Sequence, residues 1–457
     1  MTNDMGLYGE LFADAAMCTV FSDRATLQGM LDFEAALARV QGDLGVIPAS
    51  AANAIAQACH ADRYDIAAIG QQATLAGNPA ISLVKLLTAE VARTDAEAAR
   101  WVHWGATSQD VIDSGRMMQI REAVQLLEAG LQRLGLALVK LARKHRKTPC
   151  IGRTFLQHAV PVSFGLKAAQ WLAPLIEISG QLATHGAPRL QFGGAAGTLA
   201  ALGKDGAAVS ERLNAALFSA AGPALPWHGQ RGQIARLGSE CAILTGHLGK
   251  MARDIALMCQ SEIGELAEPS APGKGGSSTM PHKANPVLCT AILAASYKAP
   301  GLASTLLATL PQEHERGLGG WHAEWLTLPE LFRIAGAALT HSITLVEGLQ
   351  VYPQRMANTI ELMNGLTMAE RVTFALAAHI GRDKAHHALE AACKVAAERG
   401  QHLREALTSD AAITAILSAS DIAELFDPVS YLGASDMIIN QILTAHATWH
   451  GGELHLE

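Results

Sequence analysis

Ile120, Val124, Leu127, Leu131, Leu134, Leu138 and Leu141 recur in steps of four and three. That spacing lines them along one face of a single long helix. Lys144, Arg146 and Lys147 suit the negative end of its dipole, and Pro149 stops it. Further apolar helical stretches follow at about 160–184, 232–266, 286–310 and 321–349. Stripes of that length have to be buried, and one subunit offers few partners for them. The pattern predicts an all-α fold whose central bundle completes itself by association of subunits.

The flanks are more broken. Ser22 and Asp23 are placed to cap a helix carrying Leu27, Leu31, Ala35, Leu37 and Val40. Gly77-Asn78-Pro79 interrupts the next helices. From Tyr352 onward the helices shorten, with breaks at Asn364-Gly365, Gly381 and Pro428. We expect an N-terminal helical domain over 1–110, a long-helix bundle over 111–351 and a small helical domain over 352–457. Period-2 strand patterns are nearly absent.

Composition narrows the function. With 49% hydrophobic and 17% charged residues the chain is globular, and a net charge of −7 sets aside nucleic acid as the main partner. The seven cysteines are scattered without a C-x-x-C pair, which opposes a disulfide framework or zinc site. No leader sequence and no uncharged apolar run of bilayer length stand out. The expectation is a cytoplasmic protein with no membrane partner.

Chemistry-bearing residues gather in loops. Gly275-Gly276-Ser277-Ser278-Thr279-Met280-Pro281-His282-Lys283-Ala284-Asn285-Pro286 offers hydroxyls, an ammonium and backbone N–H groups to a small anion. A plain surface connection is its bland alternative. His103-Trp104-Gly105-Ala106-Thr107-Ser108-Gln109-Asp110 precedes the long helix. Its Thr, Ser and Asp suit a cap, and equally a carboxylate site at a positive helix end. Arg153, Gln157 and His158 suit a cleft wall or a helix start. Gly193-Gly194-Ala195-Ala196-Gly197 fails as a phosphate loop, because Asp205 follows Lys204 where Ser or Thr is required. His314 and His322 lack metal-ligand spacing, so no metal or cofactor is expected. His386-His387 reads as a solvated helix face.

Together these segments resemble the fumarase/aspartase superfamily. Gly276-Ser277-Ser278-Thr279-Met280-Pro281-His282-Lys283, followed by Asn285-Pro286, is close to its G-S-S-x-M-P-x-K-x-N signature. The 103–110 and 193–198 segments resemble its two other characteristic regions, in the expected order. The M-P-H-K form is shared by adenylosuccinate lyases and 3-carboxy-cis,cis-muconate lactonizing enzymes. Phe21-Ser22-Asp23, Leu44-Gly45-Val46-Ile47-Pro48, Gly77-Asn78-Pro79, Leu156-Gln157-His158-Ala159-Val160-Pro161, Gln312-Glu313-His314-Glu315-Arg316, Gly320-Trp321-His322-Ala323-Glu324-Trp325 and Tyr431-Leu432-Gly433 look like the lactonizing branch. The resemblance implies a homotetramer with sites shared between subunits and a small tricarboxylate as substrate. It also implies conversion of 3-carboxy-cis,cis-muconate to 4-carboxymuconolactone in aromatic catabolism (the beta-ketoadipate route).

One residue separates this branch from the lyases. They commonly carry T-H where this chain has Thr154-Phe155, and in adenylosuccinate lyase that His is implicated in protonating the departing nitrogen. Phe155 transfers no proton. An internal carboxylate adding across a double bond needs neither base nor acid; only the carbon alpha to another carboxylate exchanges a proton. By the same resemblance Ser277 is the donor to that carbon, with Lys283 stabilising the alkoxide and His158 in reserve. His103, Thr107 and Ser108 bind one carboxylate, Gln157 orients the reacting arm, and Asn285 fixes the loop. Ser278, Thr279 and Met280 line it, and Arg153, Lys274 and Arg316 are further cations for a tricarboxylate. Ala284 and Gly232-Gln233 depart from the long or charged residues expected there. The alternatives are a fumarate-releasing lyase of the adenylosuccinate type and a non-catalytic helical assembly.

Overall fold

The computed structural model describes residues 6–270, 275–276, 280 and 283–451. Its principal helices are α1 (Asp23–Asp43), α2 (Ser108–Lys144), α3 (Phe164–His185), α4 (Gly232–Met258), α5 (Val287–Ala308), α6 (Gly320–Glu347) and α7 (Ser435–His450). All seven seam residues of α2 are buried, as their spacing demands. The Ser22 hydroxyl accepts from the Ala25 amide at 3.2 Å and caps α1 as expected.

The chain divides into two compact units. The first comprises Met1–Gly130, Ile178–Gly246 and Ala294–Thr340; the second comprises Leu131–Glu177, His247–Leu293 and His341–Glu457. In the first unit α1 crosses the start of α2 at two glycines. A Cβ on Gly115 would stand 2.9 Å from the Gly29 carbonyl carbon, so only hydrogen atoms fit between the backbones. Phe33 and Phe192 pack at 6.2 Å and Phe21 and Phe332 at 5.3 Å. A buried ion cluster lies deeper. Arg231 bridges Asp113 at 2.7 Å and Glu324 at 2.5 Å, stands over the Trp227 ring, and shares Asp113 with the Trp321 indole N–H. Burial opposes the charge on Arg231, yet the two carboxylates hold its basicity above the ordinary arginine value.

The second unit holds a departure from the sequence pattern. Where the pattern suggests a helix from about 160, the chain forms a hairpin of β1 (Pro149–Thr154) and β2 (Gln157–Ser163), and α3 begins only at Phe164. Phe155 and Leu156 make its turn with φ of 50° and 64°. Two positive φ values match the twist of the strands, but the turn lacks the Asn-Gly or Asp-Gly that normally announces it. A short ladder pairs β3 (Leu266–Ala267) with β4 (Gln350–Val351). Farther along, Val372, Leu376, Leu389, Leu403, Leu407, Ile413 and Ile422 form their own apolar cluster.

Helix α5 is long and apolar enough to cross a bilayer by those two criteria alone. Lys298 interrupts it and pairs with Glu330 of α6 at 2.5 Å.

The glycine crossing gives a direct test. Gly115→Ala is expected to lower stability by roughly 1–3 kcal/mol through forced backbone separation. Gly246→Ala, which meets nothing within 4 Å, is expected to be tolerated. Denaturation midpoints of the two variants check the contrast.

Candidate functional site

In the first unit the site is built on the start of α2. Asp110 is fully buried and accepts from five donors. They are the Thr107 amide at 3.1 Å, the Gln191 side chain at 2.9 Å, the Gly193 and Gly194 amides at 3.0 and 2.9 Å, and His228 Nε2 at 3.1 Å. The glycine-rich turn therefore spends its N–H groups on an internal carboxylate, in keeping with its rejection as a phosphate loop.

Asp110 also sets the backbone that presents Thr107 and Ser108. Arg316 reaches both, with Nη1 at 2.8 Å from the Thr107 hydroxyl and Nη2 at 3.1 Å from the Ser108 hydroxyl; its Nε lies 3.3 Å from Gln109 Oε1. Hydroxyls that accept from a guanidinium keep their own protons to donate. Three of the five guanidinium N–H groups are engaged, so two remain. Protons of two hydroxyls, spare guanidinium N–H groups and a positive helix end suit a carboxylate. Sequence spacing did not reveal that Arg316 joins Thr107 and Ser108.

His103 sits just before this cradle with φ of 60°, a backbone conformation rare outside glycine. Its Nδ1 lies 2.5 Å from Oε1 of Glu34, a carboxylate 1% exposed on α1. Gln41, two turns farther along α1, donates to the Trp104 carbonyl at 2.8 Å. His322 engages the Gly77 carbonyl at 3.1 Å and packs on Trp325.

The second unit carries the hairpin and the glycine-rich loop. Arg153 forms a two-pronged pair with buried Glu265 at 3.0 and 3.1 Å, so its charge is largely committed. His158 faces Arg153 in the ladder, and its Nδ1 is buried without a hydrogen-bond partner among the described residues. Burial first, and Arg153 next, hold its basicity below the ordinary histidine value. Gln157 is exposed, as is the Phe155 tip. The loop closes at its base where the Asn285 amide donates to the Gly275 carbonyl at 2.9 Å. Gly275 has φ of 69°, and a Cβ there would meet Asn285 O at 2.6 Å, so glycine is required. The Lys283 amide turns back to the Met280 carbonyl at 3.0 Å, and both side chains are exposed. Glu268 accepts from the Leu288 and Cys289 amides at 3.1 and 2.8 Å and caps α5. Lys274, Ser277, Ser278 and Thr279 lie outside the described residues.

The acidic partners Glu34, Glu265 and Glu268 escaped the sequence reading. For Glu34 a signal was present: Leu27, Leu31, Glu34, Ala38 and Gln41 run in steps of four and three, placing two polar residues in an apolar seam. Glu265 and Glu268 gave no comparable pattern.

Comparison with known proteins bears on the whole chain. Residues 12–301 match the family model described as Lyase, and residues 365–442 match that of the adenylosuccinate lyase C-terminus. A 3-carboxy-cis,cis-muconate cycloisomerase from Bradyrhizobium diazoefficiens is 50% identical over 439 residues, 96% of this chain and 97% of its own. One of the same name from Pseudomonas aeruginosa is 49% identical over 447 residues, 96% of each chain. The crystal structure of the 3-carboxy-cis,cis-muconate lactonizing enzyme from Pseudomonas putida superposes with a TM-score of 0.92 at 44% identity, covering 97% of this chain and 99% of that one. The chain belongs to this lyase family, the fumarase/aspartase superfamily.

Proposed function

We propose that the chain is an enzyme that converts 3-carboxy-cis,cis-muconate to 4-carboxymuconolactone. The observation that carries this reading is near-full-length identity of 49–50% to two proteins of that activity. Phe155 supplies the chemical reason. It has no proton for an amine leaving group, and lactonisation asks for none.

In the proposed mechanism one substrate carboxylate oxygen attacks the double bond, and the C–O bond forms. The π electrons move to the carbon alpha to a second carboxylate, giving an enediolate-like species. Ser277 donates its hydroxyl proton to that carbon, and solvent restores the serine. Lys283 and loop N–H groups stabilise the alkoxide. One proton enters per turnover. His158 stays second choice, because lowered basicity disfavours the imidazolium form that would act as the acid. Its neutral ring suits orienting the reacting arm with Gln157. His103, Thr107, Ser108 and Arg316 receive another carboxylate. Arg153 and Lys274 supply further positive charge to the tricarboxylate, and Ser278, Thr279, Met280 and Asn285 complete the substrate contacts.

We also propose a cytoplasmic homotetramer whose central helices complete one another, with each site built from several subunits. The division into segments 1–110, 111–351 and 352–457 belongs to the same reading. Exposed apolar residues on the long helices support association: Tyr297 of α5 is 68% exposed and Leu326 of α6 80%.

The purified protein is expected to consume 3-carboxy-cis,cis-muconate without releasing fumarate, with the lactone identified by NMR; fumarate from adenylosuccinate would support the lyase alternative instead. Ser277→Ala is expected to lower kcat at least a hundredfold. Unchanged turnover there, with loss in His158→Ala, would move the proton to His158. Light scattering is expected to give about four times the 48.1 kDa chain mass.

A further inference from the structure

Beside the carboxylate cradle, His103 and Glu34 form a pair that the proposed mechanism leaves unexplained. Glu34 is almost wholly buried on a helix whose other inward residues are mostly apolar, and its second oxygen, Oε2, has no hydrogen-bond partner among the described residues. A buried, half-satisfied carboxylate is expensive, and a structural histidine would be served by a backbone carbonyl. His103 in turn holds a left-handed backbone, a strained conformation for a non-glycine residue. Gln41, seven residues after Glu34 on the same face of α1, binds the carbonyl of the next residue, Trp104. Two buried side chains of α1 thus hold a two-residue segment of strained loop.

We propose that Glu34 is a positioning residue: by accepting the Nδ1–H of His103 it aims the opposite ring edge, Nε2–H, at a carboxylate of the substrate. The chemistry follows from the ring. An ionised Glu34 only accepts, so Nδ1 must carry a proton. If the ring were neutral, Nε2 would be a bare lone pair and would repel a carboxylate. With both nitrogens protonated the ring is a cation with a donor on each edge, one for Glu34 and one for the substrate.

The electrostatics support that charge state. Burial alone would lower the basicity of His103. The Glu34 charge and hydrogen bond, with Asp110 adding its charge, overcome it and raise His103 above the ordinary histidine value. Among the described residues, Asp110 at the start of α2 acts on His103 and Cys59 lies within electrostatic reach of Glu34, with Asp32 and Arg39 of α1 acting on Cys59 in turn. Cys59 stays protonated through burial first and through Glu34 and Asp32 next, so it brings no charge of its own. The sign of the effect is then fixed. The binding-competent ring persists to higher pH than an ordinary histidine would allow, and without the Glu34 charge burial makes it lose its proton at lower pH.

The inference rests on a polycarboxylate substrate, as proposed above. Glu34→Gln keeps the size and one acceptor oxygen but removes the charge. KM for 3-carboxy-cis,cis-muconate is expected to rise about tenfold at pH 8 and to return toward the parent value near pH 6, with kcat falling less than KM rises. Glu34→Asp is expected to restore part of the affinity. In a His103→Gln background, Glu34→Gln is expected to add little further. Mass-spectrometric C2-hydrogen exchange of His103, which needs no turnover, is expected to show its titration moving to lower pH in Glu34→Gln. A KM penalty equal at all pH values, or an unmoved His103 titration, overturns the proposal. Failure of the substrate reading would look different: the parent enzyme itself would not turn over, while the exchange measurement would still decide on the pair.

Discussion

The buried carboxylate of Asp110 organises the site-bearing end of the first unit. Stripped of water, it is tolerable only because amides, an amide side chain and an imidazole converge on it. The five donors come from three places in the chain. Thr107 belongs to the turn before α2, Gln191, Gly193 and Gly194 to the segment after α3, and His228 to the approach to α4. One oxygen pair thereby pins three chain segments and fixes the backbone from which Thr107 and Ser108 project.

The Arg231 cluster repeats the logic one turn along α2. Asp113 follows Asp110 by three residues, so both carboxylates leave α2 on neighbouring faces. The first binds neutral donors and the second a guanidinium shared with Glu324. Removing one member would strand the others in a dry interior, a larger loss than the pair itself contributes. The same rule governs the Arg153–Glu265 pair at the hairpin, where the acid is fully buried and the base partly exposed. Acidic partners thus set where the cations and imidazoles of the candidate site segments stand, beside the Thr107 and Ser108 hydroxyls.

The Gly275–Asn285 loop follows a different principle. Its base is closed by one amide-to-carbonyl bond and by a glycine that no other residue can replace without collision. Its Glu268-capped exit ties it to the start of α5. The described ends of the segment are thereby anchored, one to the other at Gly275 and Asn285 and onward to the start of α5.

Periodicity alone determined the long helices, because seven aliphatic residues in a four-three rhythm have only one way to be buried together. The family signature around Ser277 and Lys283 and the Thr107-Ser108 pair were also legible, since each is a local run of chemically distinctive residues. Tertiary structure decided the rest. The Phe155-Leu156 turn gave no sign of itself, because its conformation is imposed by the strands and not by turn-forming residues. Arg316 joins residues more than two hundred positions earlier, and Glu34 reaches His103 across 69 positions. Such pairings depend on which faces of separate helices meet, and no one-dimensional pattern encodes that meeting. An acid inside an apolar seam is the nearest thing to a trace of it: the sequence shows that Glu34 must be paid for by some partner, and only the folded chain says that the partner is His103.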